Sequence, residues 1–222
     1  TSLTGYGKII LEKAEISSSL FTYNAKWFGA DTANLNVFDD NRTLSFKANN
    51  LRSHIDLDLR EGTFYSNGLG SYVTFPANQY LCYIDKLHWE MDNEILTLGD
   101  SNFEQSVGSE FVSIHPLQDS LSFFAKNSVY SMKDNIIHAS GVNEILIADA
   151  IIYPDSGLLK VINEGVIETL LNSEILANDL TKYHSFTNAK IDIKSAHNYL
   201  ASGNYLYKDI MNNTQDIFFS DI

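Results

Sequence analysis

The sequence predicts an all-β fold, an elongated β-solenoid or folded sheet stack built from irregular strand-turn repeats. Three observations carry that prediction. The apolar segments are short and rich in β-branched and aromatic residues. Gly, Asn, Asp and Ser punctuate them at close intervals, as the corners between successive strands require. Several segments recur in altered form along the chain.

In chain order, Gly7–Glu12, Ala33–Phe38, Thr63–Ser66, Tyr72–Phe75, Phe111–Ile114, Ile145–Tyr153, Ala189–Ile193 and Asn204–Tyr207 read as strands. Polar residues alternate with Leu35 and Val37, and with Ile191 and Ile193, so these strands bury one face. Two segments leave a choice. Tyr80, Ile84, Leu87 and Met91 would share a helical face, whereas Leu81, Tyr83, Leu87, Trp89 and Met91 alternate with one break at Asp85; the strand reading is placed first. Over 166–177, Ile167, Leu170, Leu171 and Ile175 would line a helix. The rhythm of Gly157, Gly165 and Asn172-Ser173 fits successive rungs nearly as well.

The recurrences are specific. Leu44-Ser-Phe-Lys-Ala-Asn-Asn50 and Leu121-Ser-Phe-Phe-Ala-Lys-Asn127 agree at five of seven positions. Trp89-Glu-Met-Asp-Asn-Glu-Ile-Leu96 matches Tyr130-Ser-Met-Lys-Asp-Asn-Ile-Ile137 more loosely, and Ala30-Asp-Thr-Ala33 pairs with Ala148-Asp-Ala150. Offsets of 77 and 41 residues are not one period, which favours irregular coils over uniform propeller blades. The expected organisation is a first β-repeat region over 1–98, a polar loop over 99–109, and a second region over 110–222 continuous with the first. A start at Thr1 and an end at Asp221-Ile222 straight after an apolar run suggest a processed chain or a piece of a longer one.

The 222 residues include 15 basic and 28 acidic side chains, a net charge of -13. That field repels phosphate, and no basic patch overrides it, so no nucleic-acid partner is expected. The single Cys82 rules out an intramolecular disulfide. No apolar run reaches about 18 residues, the length a membrane-spanning helix needs.

Candidate chemistry is sparse. Asp39-Asp40, Asp56-Leu-Asp58 and Glu90-Met-Asp92 could place carboxylates together for an oxygen-seeking cation, but no calcium-loop pattern completes them and a solvated strand face is the expected reading. His54, His88, His115, His138, His184 and His197 are widely spaced, with no zinc-ligand spacing. Gly-x-Ser-x-Gly and Gly-rich phosphate loops are missing. Asp85 and Asp149 interrupt apolar stretches and are the carboxylates a carbohydrate-active β-helix would use, although positions at bends, accepting backbone hydrogen bonds, are the favoured reading. Phe21, Tyr23, Trp27 and Phe28, and later Tyr199, Tyr205 and Tyr207, could stack on sugars or fill a core. No catalytic, metal or cofactor-binding residue is assigned.

Two resemblances follow. Thr181–His184, Asn188–Ile193, Ser202–Tyr205 and Tyr207, with Ala148–Gly157 and Pro76–Tyr80, resemble very large exported β-rich proteins of the Bacteroidota across nearly the whole chain. That resemblance implies an internal segment of an exported protein, in the periplasm, associated with the outer membrane or at the cell surface. Gly5–Glu12 followed by Phe28–Ala33 is similar to the strand repeats of periplasmic lipopolysaccharide-transport proteins, which implies lipid carriage along an apolar groove. The abundance of Tyr and Asn on the strands departs from such a groove. The leading expectation is a non-enzymatic structural or interaction segment of a cell-envelope protein. Its partners would be adjacent segments of the same protein or other envelope subunits, with a lipid or glycan as further ligands. Periplasmic lipid transport comes second and a carbohydrate-active β-helix third.

Overall fold

The computed structural model describes residues 3–99, 108–178, 180–181 and 183–222. The chain is all-β. In order it forms β1 (Leu3–Ile10), β2 (Ala14–Tyr23), β3 (Trp27–Phe38), β4 (Leu44–Asp56), β5 (Glu61–Ser66), β6 (Tyr72–Phe75), β7 (Tyr80–Tyr83), β8 (Lys86–Glu90), β9 (Ile95–Leu98) and β10 (Ser109–Ser113). There follow β11 (Ser122–Ala125), β12 (Asn127–Ser131), β13 (Ile136–Ser140), β14 (Ile145–Ile147), β15 (Ala150–Tyr153), β16 (Leu159–Val161), β17 (Leu170–Ala177), β18 (His184–Ser195), β19 (Asn198–Lys208) and β20 (Thr214–Phe219). All pairings are antiparallel, in one sheet of fourteen strands that curls into a half-barrel and one of six.

The large sheet forks at β4. This strand is 13 residues long, and no single partner matches it. Its second half pairs with β5 and its first half with β6, while β3 runs along the other edge. Asn50 marks the fork in the left-handed conformation, φ 55°. Its N–H donates to Asn34 Oδ1 at 3.0 Å and its carbonyl accepts from Ser71 Oγ at 2.6 Å, so the break in the ladder leaves neither group unpaired.

From the fork, one prong runs β6-β7-β10-β11 and the other β5-β8-β9-β12-β13-β16. The chain visits them in turn, a hairpin at a time. Strands on both sides of 99–109 therefore pair directly, β7 with β10 and β9 with β12. Within that segment, residues 100–107 lie outside the described residues. Gly108 follows them at φ 94°, where a Cβ would fall 2.3 Å from the Ala125 carbonyl oxygen. Only glycine fits there.

The alternation of prongs explains the ambiguous run 80–91. It forms two strands, and the chain crosses between prongs at Ile84 and Asp85, where its phase changes. Tyr80 and Cys82 point inward before the crossing, Leu87 and Trp89 after it. Leu81 and Tyr83, which the simple alternation placed with Leu87, therefore face outward. The 166–177 stretch is also extended, with β17 bulged at Asn172, φ 53°, and Leu171 turned to solvent.

The prongs close on one another over an aromatic core. Phe46 on β4 meets Trp89 of β8 and Tyr130 of β12 edge-on, both at 6.3 Å between centroids, and Phe75 of β6 lies 4.7 Å from Tyr130. The Tyr130 hydroxyl donates to Asn135 Oδ1 at 2.8 Å and meets Ser45 Oγ at 3.1 Å, so the ring's polar end is satisfied inside the core.

Four-residue turns line one rim. In Leu57–Arg60, Met91–Glu94 and Met132–Asn135 the last residue is left-handed, at φ 55°, 58° and 56°. Leu57 N–H donates to the Lys26 carbonyl, Met91 N–H to that of Arg60 and Met132 N–H to that of Glu94, at 2.8, 3.1 and 3.0 Å. Asn78, wholly buried, caps the series by donating Nδ2 to the Asn135 carbonyl at 2.7 Å and to that of Val161 at 3.1 Å.

The looser recurrence seen in the sequence falls on this rim. Trp89–Leu96 and Tyr130–Ile137 occupy equivalent places in the adjacent hairpins β8–β9 and β12–β13, with Trp89 and Tyr130 both inward. Leu44–Asn50 and Leu121–Asn127 likewise turn Phe46, Ala48, Phe123 and Ala125 inward. The two alanine-aspartate motifs have no such equivalence: one sits at the bulge in β3, the other at the β14–β15 turn.

The smaller sheet, β14-β15-β17-β18-β19-β20, continues the same core with Ile145, Ile147, Ile152, Ile175 and Ile191. Gln118, between β10 and β11, links it to the larger one. Its Oε1 accepts from Ser113 Oγ at 2.6 Å, its Nε2 donates to the Gly165 carbonyl at 2.7 Å, and its own carbonyl accepts from Ala196 N–H at 3.1 Å. Gln118→Leu removes both side-chain bonds and leaves buried groups unmet. The expected cost is about 2–3 kcal/mol in urea denaturation, with near-ultraviolet dichroism reporting the loosened junction.

Candidate functional site

Beside the bend that joins the prongs, the outer face of β2–β5 carries a groove of about 520 Å³. That volume lies in the range of small-molecule sites. Alternation along the strands supplies its walls. On β3, Trp27 and Gly29 face outward while Phe28 and Ala30 face the core; on β4, Arg52 and His54 face outward between Leu51, Ser53 and Ile55; Tyr65 does so on β5.

Pairing then brings together residues far apart in sequence. Gly29 lies opposite Thr22 on one side and His54 on the other, and Arg52 lies opposite Tyr65. Gly29 forms the floor: a Cβ there would come 2.6 Å from the Ser53 carbonyl oxygen, so no larger residue fits this close approach of β3 to β4.

The side chains are braced. The Arg52 guanidinium lies over the Tyr65 ring, 5.0 Å from its centroid, with Lys86 Nζ at 5.8 Å from the same ring. His54 packs against Trp27, ring centroids 5.1 Å apart. At the rim, the irregular stretch of β2 is pinned by Ser18 Oγ, which donates to the Thr32 carbonyl at 2.7 Å. Asn67 Nδ2 holds the Asp31 carbonyl at 2.8 Å. Asp31 and Arg52 bring one charge of each sign, and neither forms an ion pair among the described residues.

Such a groove offers an aromatic surface and hydrogen-bonding groups of both kinds. No group in it stands in a nucleophile-base arrangement among the described residues. No family model, curated protein or solved structure matches the chain.

The other sequence candidates have structural roles. Asp39 Oδ1 accepts from the N–H groups of Asn41 and Thr43, and Asp56 Oδ1 from those of Asp58 and Leu59, so both close turns. Asp40 pairs with Lys13, Asp58 with Lys26 and Asp92 with Arg60, at 2.6, 2.7 and 2.5 Å. Glu90 accepts from Asn93. Lys13 also binds Glu94, and these two contacts push its ammonium up, that with Asp40 most. Lys13 and Arg60 flank the second cavity, about 300 Å³ beside the turns, and their pairs brace that rim. No group of three metal-ligating side chains occurs among the described residues.

Asp85 is exposed at the crossing between prongs, and Asp149 is exposed in the β14–β15 turn of the other sheet. His54, His88 and His138 fall in one outward row of the large sheet, set by successive pairings. They stand two or more strands apart, about 10 Å or more, too far to share an ion. Burial pushes the Cys82 thiol up, which leaves it unreactive.

The first aromatic cluster divides: Phe21 and Phe28 are core, Tyr23 packs on the core, and Trp27 stands in the groove. Of the second, Tyr205 packs with Phe186 and Phe219, Tyr199 lies against the core and Tyr207 is exposed. Reading the sequence singled out Trp27 but missed Gly29, Arg52, His54 and Tyr65 as its companions. The alternation of Arg52 and His54 with Leu51, Ser53 and Ile55 is the signal that marks them as one outward face.

Proposed function

We propose that this chain is a non-enzymatic interaction segment of a larger exported cell-envelope protein, a stretch of an elongated β-stack whose outer-face groove is its contact site. The observation that carries the reading is the alternation of hairpins between two prongs, each hung on its predecessor at the rim by a backbone hydrogen bond. Such an arrangement adds length without changing its cross-section, as a stacked repeat does.

The interior between the prongs is occupied by Phe46, Phe75, Trp89 and Tyr130, which favours a scaffold over a lipid-carrying groove. Asp85 and Asp149 lie on different sheets, which favours it over a carbohydrate-active enzyme relying on that pair. Fractionation of source cells with an antibody to this segment tests the proposal. A polypeptide well above 24.9 kDa in the envelope fraction is expected. A cytoplasmic product of that mass overturns it.

A further inference from the structure

We infer that the groove between Trp27 and Arg52 binds a neutral saccharide; this rests on the reading of the chain as an interaction segment and names the ligand class of its site. Sugar rings combine an apolar C–H face with a rim of hydroxyls that both donate and accept. The groove has the matching halves. Trp27 offers a large apolar ring, held at an angle by His54 5.1 Å away, on the wall of the groove.

Across the glycine floor, Arg52 and Asp31 provide the polar half. Arg52 has donors only, held over the Tyr65 ring, and Asp31 has acceptors only, so together they satisfy neighbouring hydroxyls with charge-assisted bonds. Bracing of this kind lowers the ordering cost on binding, because the groups are already placed.

Charge decides which saccharide. One cation and one anion in the groove cancel, and the protein's net charge of -13 disfavours uronic, sulfated or phosphorylated chains. The same field argues against a nucleotide stacked on Trp27. An exposed groove across four strands suits a segment within a chain as well as its end.

The test is calorimetric titration of the whole chain with a panel of neutral and anionic oligosaccharides, followed by tryptophan fluorescence. The protein has two tryptophans, and Trp89 is buried in the core, so a ligand-induced emission change reports Trp27. At least one neutral oligosaccharide is expected to bind, with Trp27→Ala and Arg52→Gln each weakening it about tenfold or more and Trp27→Tyr retaining most of the affinity. Arg52 is exposed, so Arg52→Gln keeps its thermal midpoint and separates lost binding from lost folding. No binding by any neutral oligosaccharide overturns the inference, as does binding that both variants leave unchanged or binding confined to anionic chains. A bound oligosaccharide returned cleaved overturns the non-enzymatic reading while leaving the site assignment standing, and a cytoplasmic location does the same to the envelope reading.

Discussion

Phe46→Ala is expected to lower the unfolding free energy by about 3–5 kcal/mol, the range for emptying a fully buried phenylalanine site. Phe46 has no exposed surface and lies where the prongs meet, touching Trp89, Tyr130 and Phe75. The cavity cannot collapse readily, because β4 is hydrogen-bonded to β3 on one edge and to both β5 and β6 on the other. Phe46→Leu, which keeps most of the volume, is expected to cost about half as much or less. Urea denaturation followed by Trp89 emission and far-ultraviolet dichroism measures both. The comparison is Phe124→Ala: Phe124 points outward on β11 with 42% exposure, and its removal is expected to cost about 0.5 kcal/mol or less. Equal losses at Phe46 and Phe124 would mean that the prongs do not close on a common core.

Alkaline unfolding is the second large effect. Burial pushes the Tyr130 phenol up to about 12, against the smaller opposing influence of its bond to Ser45. Burial also pushes Tyr80 up, with the cross-strand Ser113 opposing. An acid whose folded pKa is raised holds its proton more tightly in the folded state. Its contribution to stability is therefore complete below the unfolded value near 10 and is lost as pH rises through the folded one. For Tyr130 the span of about two pH units corresponds to about 3 kcal/mol. The expected result is cooperative unfolding above about pH 10, in which phenolate absorbance and loss of dichroism rise together. Tyr130→Phe should flatten the pH dependence while lowering stability at neutral pH, because Ser45 Oγ and Asn135 Oδ1 lose their shared partner. Phenolate absorbance that climbs fully before the dichroism changes would contradict the buried setting of these rings.

The strands were legible because the core imposes alternation on each of them. Leu35 and Val37, and Ile191 and Ile193, are inward as their spacing requires. The fork was not legible, since it depends on Asn50 adopting a left-handed conformation, and on which of two later strands meets which half of β4. Nor was the change of phase at Ile84 and Asp85, because alternation read along one strand does not say when the chain leaves for the opposite prong. The acidic pairs looked alike in sequence and separated in structure into turn closures and ion pairs. The groove was half visible: Trp27 drew attention as an aromatic, but its companions on β4 and β5 are set by pairing register, which no local pattern records.

The rim of stacked turns couples neighbouring hairpins in series. The hairpins β8–β9 and β12–β13 each add two strand spacings, about 10 Å, and each is hung by a backbone N–H on the carbonyl of the left-handed residue that ends the turn before it. Glu94 and Asn135 end equivalent turns, and the stretch between them holds β9 and β12 of one prong and β10 and β11 of the other. Excising that stretch as a whole would shorten both prongs in step and bring matching ends together, whereas cutting out half of it would leave one prong longer than the other.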